Sequence, residues 1–276
     1  MARKRPREGA SPGASSRTVV AAARGKGAGT RRRQSLWEFI RGLLPAVVIF
    51  LVIRTFFIEA FRIPSESMEP TLLVGDFLFV NKLIYGPAIP FTRARLPGYA
   101  EPERGQVAIY VSPPQAGRVP PGSELDDNTP TVVKRIVALG GDTIYMRGGL
   151  LYVNGIAQRQ GYGAAGRPEG WVDEPDPYIQ WTTERGLRGS RFGAPPARAS
   201  HDTWGPIVVP AGHFFSLGDN RYNSVDARYY GFVPRENLRG KPLFIYYSHD
   251  CRNSDVGAPA CFVTDVRWSR IGDRIR

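Results

Sequence analysis

Apolar residues form one long run near the N-terminus, followed by a series of short runs separated by polar and turn-forming residues. The long run covers residues 36–61 and includes twelve uninterrupted apolar residues at 42–53. A helix over residues 36–58 would be roughly 33 Å long, which is enough to cross a bilayer. The pattern therefore predicts one membrane-spanning helix.

The block of cations before this run favours an uncleaved anchor. A twelve-residue core also suits a cleaved signal peptide, but no A-x-A-like pair of small residues follows it. A buried core helix is the other alternative, and such helices do not usually follow a cationic block. Residues 1–33 carry ten Lys/Arg and one acid, Glu8. By the positive-inside rule, this tail lies in the cytoplasm and the chain after residue 60 lies on the far side.

The short apolar runs predict strands, most of them largely buried. They cover residues 77–80, 106–111, 131–139, 207–209, 213–217 and 243–247. A further run at 150–156 contains Asn154-Gly155, a dipeptide typical of a tight hairpin turn. Residues 157–204 are instead rich in Gly, Pro, Arg and Asp and have little periodicity, which predicts an inserted ribbon or loop.

The predicted fold class is mainly β: a single N-terminal transmembrane helix followed by a β-rich domain of antiparallel sheets with an inserted ribbon or loop region. We expect four parts in the order of the chain. They are a basic disordered cytoplasmic tail (1–35), a transmembrane anchor (36–60), a β-rich core in two pieces (61–156 and 205–276) and the insertion (157–204). The mean hydropathy of −0.27 excludes a multi-span transporter, and the 31 Gly and 24 Pro favour many turns.

The net charge of +12 belongs almost entirely to the tail, because the other 243 residues hold only +3. A basic tail of this kind binds nucleic acid, rests on anionic lipid or stays disordered by self-repulsion. The two cysteines, Cys251 and Cys261, have a C-x9-C spacing that matches no usual zinc site. They fit equally a disulfide in an oxidising compartment or two packed thiols.

Two polar features suggest a nucleophile and its base. Ser65 and Ser67 lie in a turn bounded by prolines, directly after the anchor. A serine nucleophile needs a base, yet no neighbour of the three histidines suggests an orienting carboxylate, and there is no G-x-S-x-G elbow. Lys134 is the alternative, because strand alternation places it on an apolar face with Val132 and Ile136. Burial there would lower the pKa of an amine from about 10.4.

A third polar segment, residues 218–228, combines five short polar side chains with two arginines. We expect Asx turns and Asp–Arg pairs to make this loop rigid, and Ser224 in it offers a hydroxyl to a neutral amine. Taken alone, each feature has a plainer interpretation. The serine turn fits a linker, the lysine fits a strand end that reaches water, and the loop fits a structural or calcium-like site.

Together these segments resemble the type I signal peptidases, the membrane-anchored Ser/Lys proteases. Four motifs follow the anchor in the family's order: PSESMEPTL (64–72), RGQVAIY (104–110), KRIVALGGD (134–142) and GDNRYNSVDAR (218–228). Near the C-terminus, RWSRIG (267–272) is similar to the family's closing strand. The resemblance covers the chain outside the basic tail and residues 157–204.

The resemblance implies a role for each matching residue. Ser67 matches the nucleophile, Lys134 the general base, and Ser65 the side-chain donor of the oxyanion hole, with the Ser67 N–H as second donor. Ser224 matches the hydroxyl that orients the lysine. The ion-pair scaffold is matched by Asp219, Arg135, Asp226 and Arg228, and the two small apolar substrate pockets by Phe61, Ile63, Leu72, Leu78, Ile109 and Val133.

The sequence departs from the family's pattern at a few positions. Glu66 stands where a small residue separates the two serines, so its carboxylate must point away from the oxyanion hole or pair. Gly140, Tyr222 and Ala227 stand where Pro, Asp and Ser are frequent. None of these positions is a proposed catalytic group.

The resemblance implies a membrane-bound serine endopeptidase that removes signal peptides from secreted precursors by cleavage after small residues, without a metal or other cofactor. Its partners would be signal peptides of secretory precursors and the lipid bilayer, not nucleic acid. It would be a single-pass protein of the bacterial inner membrane, with the catalytic domain on the periplasmic side. Two alternatives compete. A self-cleaving SOS-type repressor shares the Ser/Lys dyad but needs a helix-turn-helix domain and no span, and a non-catalytic membrane scaffold leaves Ser67 and Lys134 as chance residues.

Overall fold

The computed structural model describes residues 28–92, 94–114, 129–158, 166–251 and 261–276. Residues 1–27 of the predicted basic tail lie outside the described residues, as do residues 159–165 of the predicted insertion. The chain divides into two compact units, Met1–Ile49 and Phe50–Arg276.

Helix α1 covers Ala28–Val52 and continues as a π-helical turn over Ile53–Phe57. It begins before the predicted start at residue 36, because the arginines and glutamine of residues 31–34 are good helix formers. Within it, Trp37–Phe57 is long and apolar enough to cross a membrane, with a mean hydropathy of 2.0, and none of it is buried against the protein. The apolar helix predicted from the sequence is therefore present.

The described part of Phe50–Arg276 contains two antiparallel sheets. Their strands, in chain order, are β1 (Ile58–Arg62), β2 (Asp76–Asn81), β3 (Val107–Val111), β4 (Thr131–Leu139), β5 (Thr143–Arg147), β6 (Leu150–Val153), β7 (Ile156–Ala157), β8 (Trp204–Val208), β9 (His213–Leu217), β10 (Val233–Pro234) and β11 (Leu238–Ser248). The larger sheet has the order β1-β2-β11-β3-β4-β9-β10, and the smaller one the order β7-β6-β5-β8. Every strand pair is antiparallel, so the predicted fold class is confirmed.

The Asn154-Gly155 hairpin is also confirmed. These two residues connect β6 to β7 and have φ angles of 54° and 87°. Both angles lie in the left-handed region that tight hairpin turns require, which Asn and Gly adopt most readily.

Strand β4 lies near the middle of the larger sheet, between β3 and β9, and is buried on both faces. Val132 and Ile136 belong to the larger hydrophobic core, whereas Val133 belongs to a smaller core cluster with Ile63, Met68 and other residues. The strand therefore separates two apolar clusters, and any polar side chain on it is removed from water.

Residues 166–203 of the predicted insertion form a packed loop, with no strand in this stretch. It contains a 3-10 turn over Pro177–Ile179 and the short helix α2, Trp181–Glu184. Ile179 and Ala199 are buried in the larger core. The insertion thus belongs to the same packing unit as the sheets.

Two short helices follow β9 in the chain: α3, Ala227–Tyr230, and α4, Cys261–Thr264. Cys251 and Cys261 form a disulfide with a Cα–Cα distance of 5.4 Å, which decides between the two interpretations of the cysteines. The prediction of a closing strand at 267–272 is wrong, because Trp268–Arg270 forms a 3-10 turn. Backbone hydrogen bonds to β11 are made by Arg267, just before this turn, and by residues 272–275 after it.

Candidate active site

The two serines lie in a short turn that follows β1. Ser65 is extended, with φ −130° and ψ 163°, and Glu66–Met68 forms one turn of 3-10 helix. Met68 and Leu72 are buried in the smaller core cluster and hold this turn against the sheet. The side-chain oxygens of Ser65 and Ser67 are 3.3 Å apart, so both hydroxyls point to the same place.

Lys134 reaches this turn from β4. Its side chain is buried, with 2% of the residue exposed, and its Nζ donates to the Ser67 Oγ at 2.5 Å. The register of β4 fixes this approach, because Ala108 of β3 pairs with Lys134 and Leu217 of β9 pairs with the following residue. The structure therefore brings the predicted nucleophile and the predicted base into direct contact.

The loop of residues 218–228 clamps the serine turn from the other side. The Asn220 N–H donates to the Ser67 carbonyl at 3.1 Å, and its side-chain amide donates to the Glu66 carbonyl at 3.2 Å. The Asn223 amide donates to the Glu66 carboxylate at 3.0 Å, so this carboxylate pairs, which is one of the two outcomes expected for it. The loop therefore fixes both the backbone of the turn and its one acidic side chain.

Gly218 lies where the loop approaches Ser67 most closely. A Cβ at this position would be 2.2 Å from the Ser224 Oγ and 2.4 Å from the Ser67 carbonyl oxygen. Both distances are far below van der Waals contact, and one of the two atoms belongs to the backbone. Only glycine allows the loop to pack against the serine turn in this way.

Two buried Asp–Arg pairs lie beneath the loop. Arg135 forms a bidentate pair with Asp219, at 2.8 and 2.6 Å, and Arg228 forms one with Asp226, at 2.9 and 2.8 Å. Asp219 also accepts from the Thr71 hydroxyl at 2.6 Å, which ties the pair to the serine segment. The four predicted scaffold residues therefore form two closed pairs.

Charge compensation sets the ionisation of these groups. Burial alone would raise the pKa of Asp226, but Arg228 and the Gly218 N–H together hold it below its ordinary value. Burial and the nearby Arg228 lower the pKa of Arg221 to about 10. Asp226 is therefore ionised at neutral pH, and Arg228 keeps a charged partner.

A cavity of about 360 Å³ opens in front of the dyad. Ser65, Ser67 and Lys134 line it, with Phe61, Ile63 and Val133 forming apolar parts of its wall. The other three predicted pocket residues, Leu72, Leu78 and Ile109, do not border this cavity and lie in the smaller core cluster behind it.

Ser224 also lines the cavity, but its hydroxyl is buried and makes no hydrogen bond among the described residues. The predicted contact between Ser224 and the lysine amine is therefore not formed in this structure.

Comparison with known proteins decides the family. The family described as "Signal peptidase, peptidase S26" matches residues 36–247, which is well over half of the chain. The chain belongs to this signal peptidase family. The resemblance inferred from the motifs is confirmed, and the repressor and scaffold alternatives are set aside.

Two sequence relatives agree with this assignment. Signal peptidase I of Pseudomonas aeruginosa is 35% identical over 230 residues, covering 77% of this chain and 73% of that protein. Signal peptidase I of Aquifex aeolicus is 34% identical over 230 residues, covering 73% and 80%. A crystal structure of a signal peptidase I from Enterococcus faecalis is 26% identical and covers 51% of this chain and 96% of its own, with a TM-score of 0.30. The protein is thus an enzyme, a signal peptidase that acts on precursors bearing signal peptides.

The signal peptidase site has a further layer of support that the sequence did not indicate. Arg270 forms a bidentate pair with the buried Asp76, at 3.1 and 2.6 Å, and donates to the Thr71 carbonyl at 3.0 Å. Arg135 donates to the Arg276 carbonyl at 2.8 Å. The only sequence signal for this C-terminal support was an acid just before a strand and arginines in RWSRIG, which are common features of protein surfaces.

Proposed function

We propose that this signal peptidase is a membrane-anchored endopeptidase in which Ser67 is the nucleophile and Lys134 the general base. The observation that carries the proposal is the 2.5 Å contact between the Lys134 Nζ and the Ser67 Oγ inside a cavity. Lys134 acts as a base only when it is neutral, and its side chain is buried within β4, away from water.

The reaction begins when Ser67 attacks the carbonyl carbon before the scissile bond. Lys134 takes the hydroxyl proton as the new C–O bond forms, and the carbonyl becomes an oxyanion. The Ser65 hydroxyl and the Ser67 N–H donate to this oxyanion, which supports the charge where it develops. Lys134 then returns the proton to the leaving amine as the C–N bond breaks.

The second half of the reaction regenerates the enzyme. The leaving peptide vacates the cavity, and water attacks the acyl ester on Ser67 with Lys134 again taking a proton. The tetrahedral intermediate collapses, the Ser67 oxygen regains its proton, and the signal peptide leaves as a free acid. Every proton in this scheme passes through Lys134.

Cleavage after small residues, at A-x-A-like sites, is supported by the cavity walls. Phe61, Ile63 and Val133 present apolar surface beside the dyad, in the cavity of about 360 Å³. A shallow apolar pocket accepts a methyl group and excludes larger side chains. Such a pocket discriminates small from large substrate residues to a limited but useful extent.

Anchoring in the bacterial inner membrane, with the catalytic unit on the periplasmic side, rests on two independent features. The Trp37–Phe57 segment is long and apolar enough to cross the bilayer, and the cations of residues 1–33 precede it. The Cys251–Cys261 disulfide fits an oxidising compartment on the far side. We propose lipid and signal peptides as the partners, and no role in nucleic-acid binding for the tail.

Cleavage of a purified secretory precursor in detergent tests the dyad. Ser67→Ala and Lys134→Ala should each abolish cleavage while leaving the protein folded, and the double variant should be no worse than either single one. Ser65→Ala should reduce the rate by about 10²–10³. The matched controls are Ser269→Ala and Lys82→Ala, at exposed or partly exposed positions, which should cleave normally. Near-normal cleavage by Lys134→Ala would disprove a lysine base.

A further inference from the structure

His201 lies directly behind the loop of residues 218–228, at the end of the inserted segment. It is 7% exposed. Tyr222 stacks on the imidazole, with ring centroids 4.9 Å apart and an interplanar angle of 27°. Trp171 packs its ring against the same imidazole at 5.2 Å and 67°. The two aromatic contacts fix the plane of a histidine that the serine–lysine chemistry does not use.

The ring nitrogens of His201 contact two acceptors, the Asp202 carboxylate and the Arg221 carbonyl, and one donor, the Arg228 guanidinium. The His201 Nδ1 is 3.1 Å from the Asp202 carboxylate, so the expectation that no histidine has an orienting carboxylate is wrong here. The His201 Nε2 lies within hydrogen-bond distance of the Arg228 guanidinium and 2.6 Å from the Arg221 carbonyl. A neutral imidazole protonated at Nδ1 donates to Asp202 and accepts from Arg228, which satisfies both charged neighbours.

A continuous set of contacts leads from this imidazole to the nucleophile. Arg228 holds Asp226 in the bidentate pair described above, and Asp226 accepts from the Gly218 N–H at 3.0 Å. Gly218 in turn packs against the Ser67 carbonyl and the Ser224 side chain. The position of the guanidinium is therefore transmitted to the backbone of the serine turn.

We propose that His201 is a positioning residue for signal peptide cleavage. Its neutral imidazole accepts from Arg228 and so maintains the Asp226–Gly218 contact and the position of the Ser67 turn. The inference rests on the Ser67–Lys134 reaction proposed above. The inserted segment thereby contributes to the site without touching the substrate.

Protonation of His201 breaks this arrangement. The Arg221 carbonyl can accept from a proton on Nε2, but that proton removes the acceptor of Arg228 and places two positive charges side by side. Burial first, and Arg228 second, lower the pKa of His201, against the opposing effects of Asp202, the Arg221 carbonyl and Asp226. Three more groups surround the ring. Tyr222 stacks on it, Arg167 forms an ion pair with Asp202, and Asp173 accepts from the Asp202 N–H.

The sign of the effect follows from this environment. His201 is neutral at pH 7 and becomes protonated only below the ordinary histidine pKa of 6.5. The loop of residues 218–228 is therefore held against the serine turn at neutral pH, and it loses the support of His201 in acid. Loss of the lysine base also lowers the rate in acid, so two ionisations act on the same limb of the pH profile.

The slope of that limb is the decisive measurement. In the wild-type protein, log kcat/KM for a purified precursor should fall with a slope well above one and approaching about two. His201→Gln, which still offers an acceptor to Arg228 but does not titrate, should return the slope to about one while retaining much of the neutral rate. His201→Phe, which keeps the ring and loses the acceptor, should lower kcat by about 10- to 100-fold at all pH values with little change in KM.

The other two histidines supply controls. His213→Gln, whose ring contacts the Ala211 carbonyl, should keep the wild-type rate and slope. His249→Gln removes the other histidine with a lowered pKa and should also leave the slope unchanged. The proposal would be overturned if His249→Gln returned the slope to about one, or if the steep slope persisted in His201→Gln.

A measurement on the wild-type protein covers the case in which a His201 variant does not fold. The histidine ring signals followed by NMR, assigned with His213→Gln and His249→Gln, should show His201 titrating at the pH where the rate profile steepens. Titration of His201 at or above its ordinary pKa would overturn the proposal. Failure of the dyad itself is seen separately, as cleavage that survives Ser67→Ala or Lys134→Ala.

Discussion

At the scale of single residues, one guanidinium connects three parts of the site. Arg135 pairs with Asp219 through two nitrogens and donates through the third to the carbonyls of Gly105 and Arg276. Lysine could not replace it, because an ammonium lacks the planar fork that makes a bidentate pair. Arg135 and Asp219 are almost completely buried, so neither charge is compensated by water.

The burial of this pair predicts a large loss of stability when one partner is neutralised. Asp219→Asn leaves the Arg135 charge buried without a counterion, and we expect it to lower the free energy of unfolding by about 3–5 kcal/mol. Glu101→Gln is the matched control, because the Arg235–Glu101 pair is bidentate but Glu101 is 75% exposed. Its loss should stay below about 1 kcal/mol.

Chemical denaturation of both variants, followed by tryptophan fluorescence in detergent, gives the comparison. Equal losses in the two variants would mean that Asp219 is solvated in solution and that the pair does not support the site. A large loss of unfolding free energy for Asp219→Asn alone would confirm that the burial of the pair, rather than pairing as such, determines how much its disruption destabilises the protein.

At the scale of elements, the sequence indicated best the strands that are buried on both faces. The predicted bounds 131–139 and 213–217 coincide with β4 and β9, since both strands are rich in β-branched, aromatic and other apolar residues despite the polar residues within them. Strand β1 is mostly exposed and was not predicted, and β11 begins at Leu238 rather than at 243. Gly240 and Pro242 interrupt the apolar pattern of β11, which hides its first half.

The candidate site was also predicted only in part. The residues with distinctive chemistry were predicted from motifs, and the structure brings Ser65, Ser67 and Lys134 together. Leu72, Leu78 and Ile109 show the limit, because the sequence marks them as apolar without telling a cavity wall from the layer behind it. His201 and Arg270 were missed, since the arginine partners of His201 and the Asp76 and Thr71 partners of Arg270 are brought to them only by the fold.

The packing of the loop 218–228 against the serine turn predicts the effect of a single methyl group. Gly218→Ala places a Cβ against the Ser67 carbonyl and Ser224, so the loop must move and cleavage should fall by about 100-fold or more. Gly166→Ala is the control, because a Cβ there meets no atom of the described residues within 4 Å and should have no effect. Precursor cleavage at matched enzyme concentration measures both, and normal activity of Gly218→Ala would show that the loop does not constrain Ser67.

At the scale of the whole molecule, the chain divides into two units that the proposed function uses differently. Met1–Ile49 contains most of the apolar helix, whereas every residue of the candidate site belongs to Phe50–Arg276. Chemistry and membrane orientation are therefore separable properties, and variants in one unit should leave the other property intact.

The basic tail should set orientation and leave catalysis unchanged. Deletion of residues 2–27 retains the whole candidate site, so cleavage in detergent should be normal, and Arg31, Arg32 and Arg33 should preserve most of the topology. Changing these three to Glu in the truncated protein should invert or scramble it. Protease protection in spheroplasts reports the outcome, since the catalytic unit is digested only when it faces outward. Loss of cleavage in detergent after the deletion would place part of the site in the tail.

The C-terminal support of the serine segment has a consequence for the order in which the enzyme is made. Arg270 contacts the Thr71 carbonyl across 199 positions of sequence. At about 5–20 residues per second, the ribosome releases the serine segment about 10–40 s before the arginine that braces it. The nascent chain therefore carries its serine segment unbraced until Arg270 has been made. A signal peptidase supported in this way gains the brace of its serine segment only after Arg270 has left the ribosome.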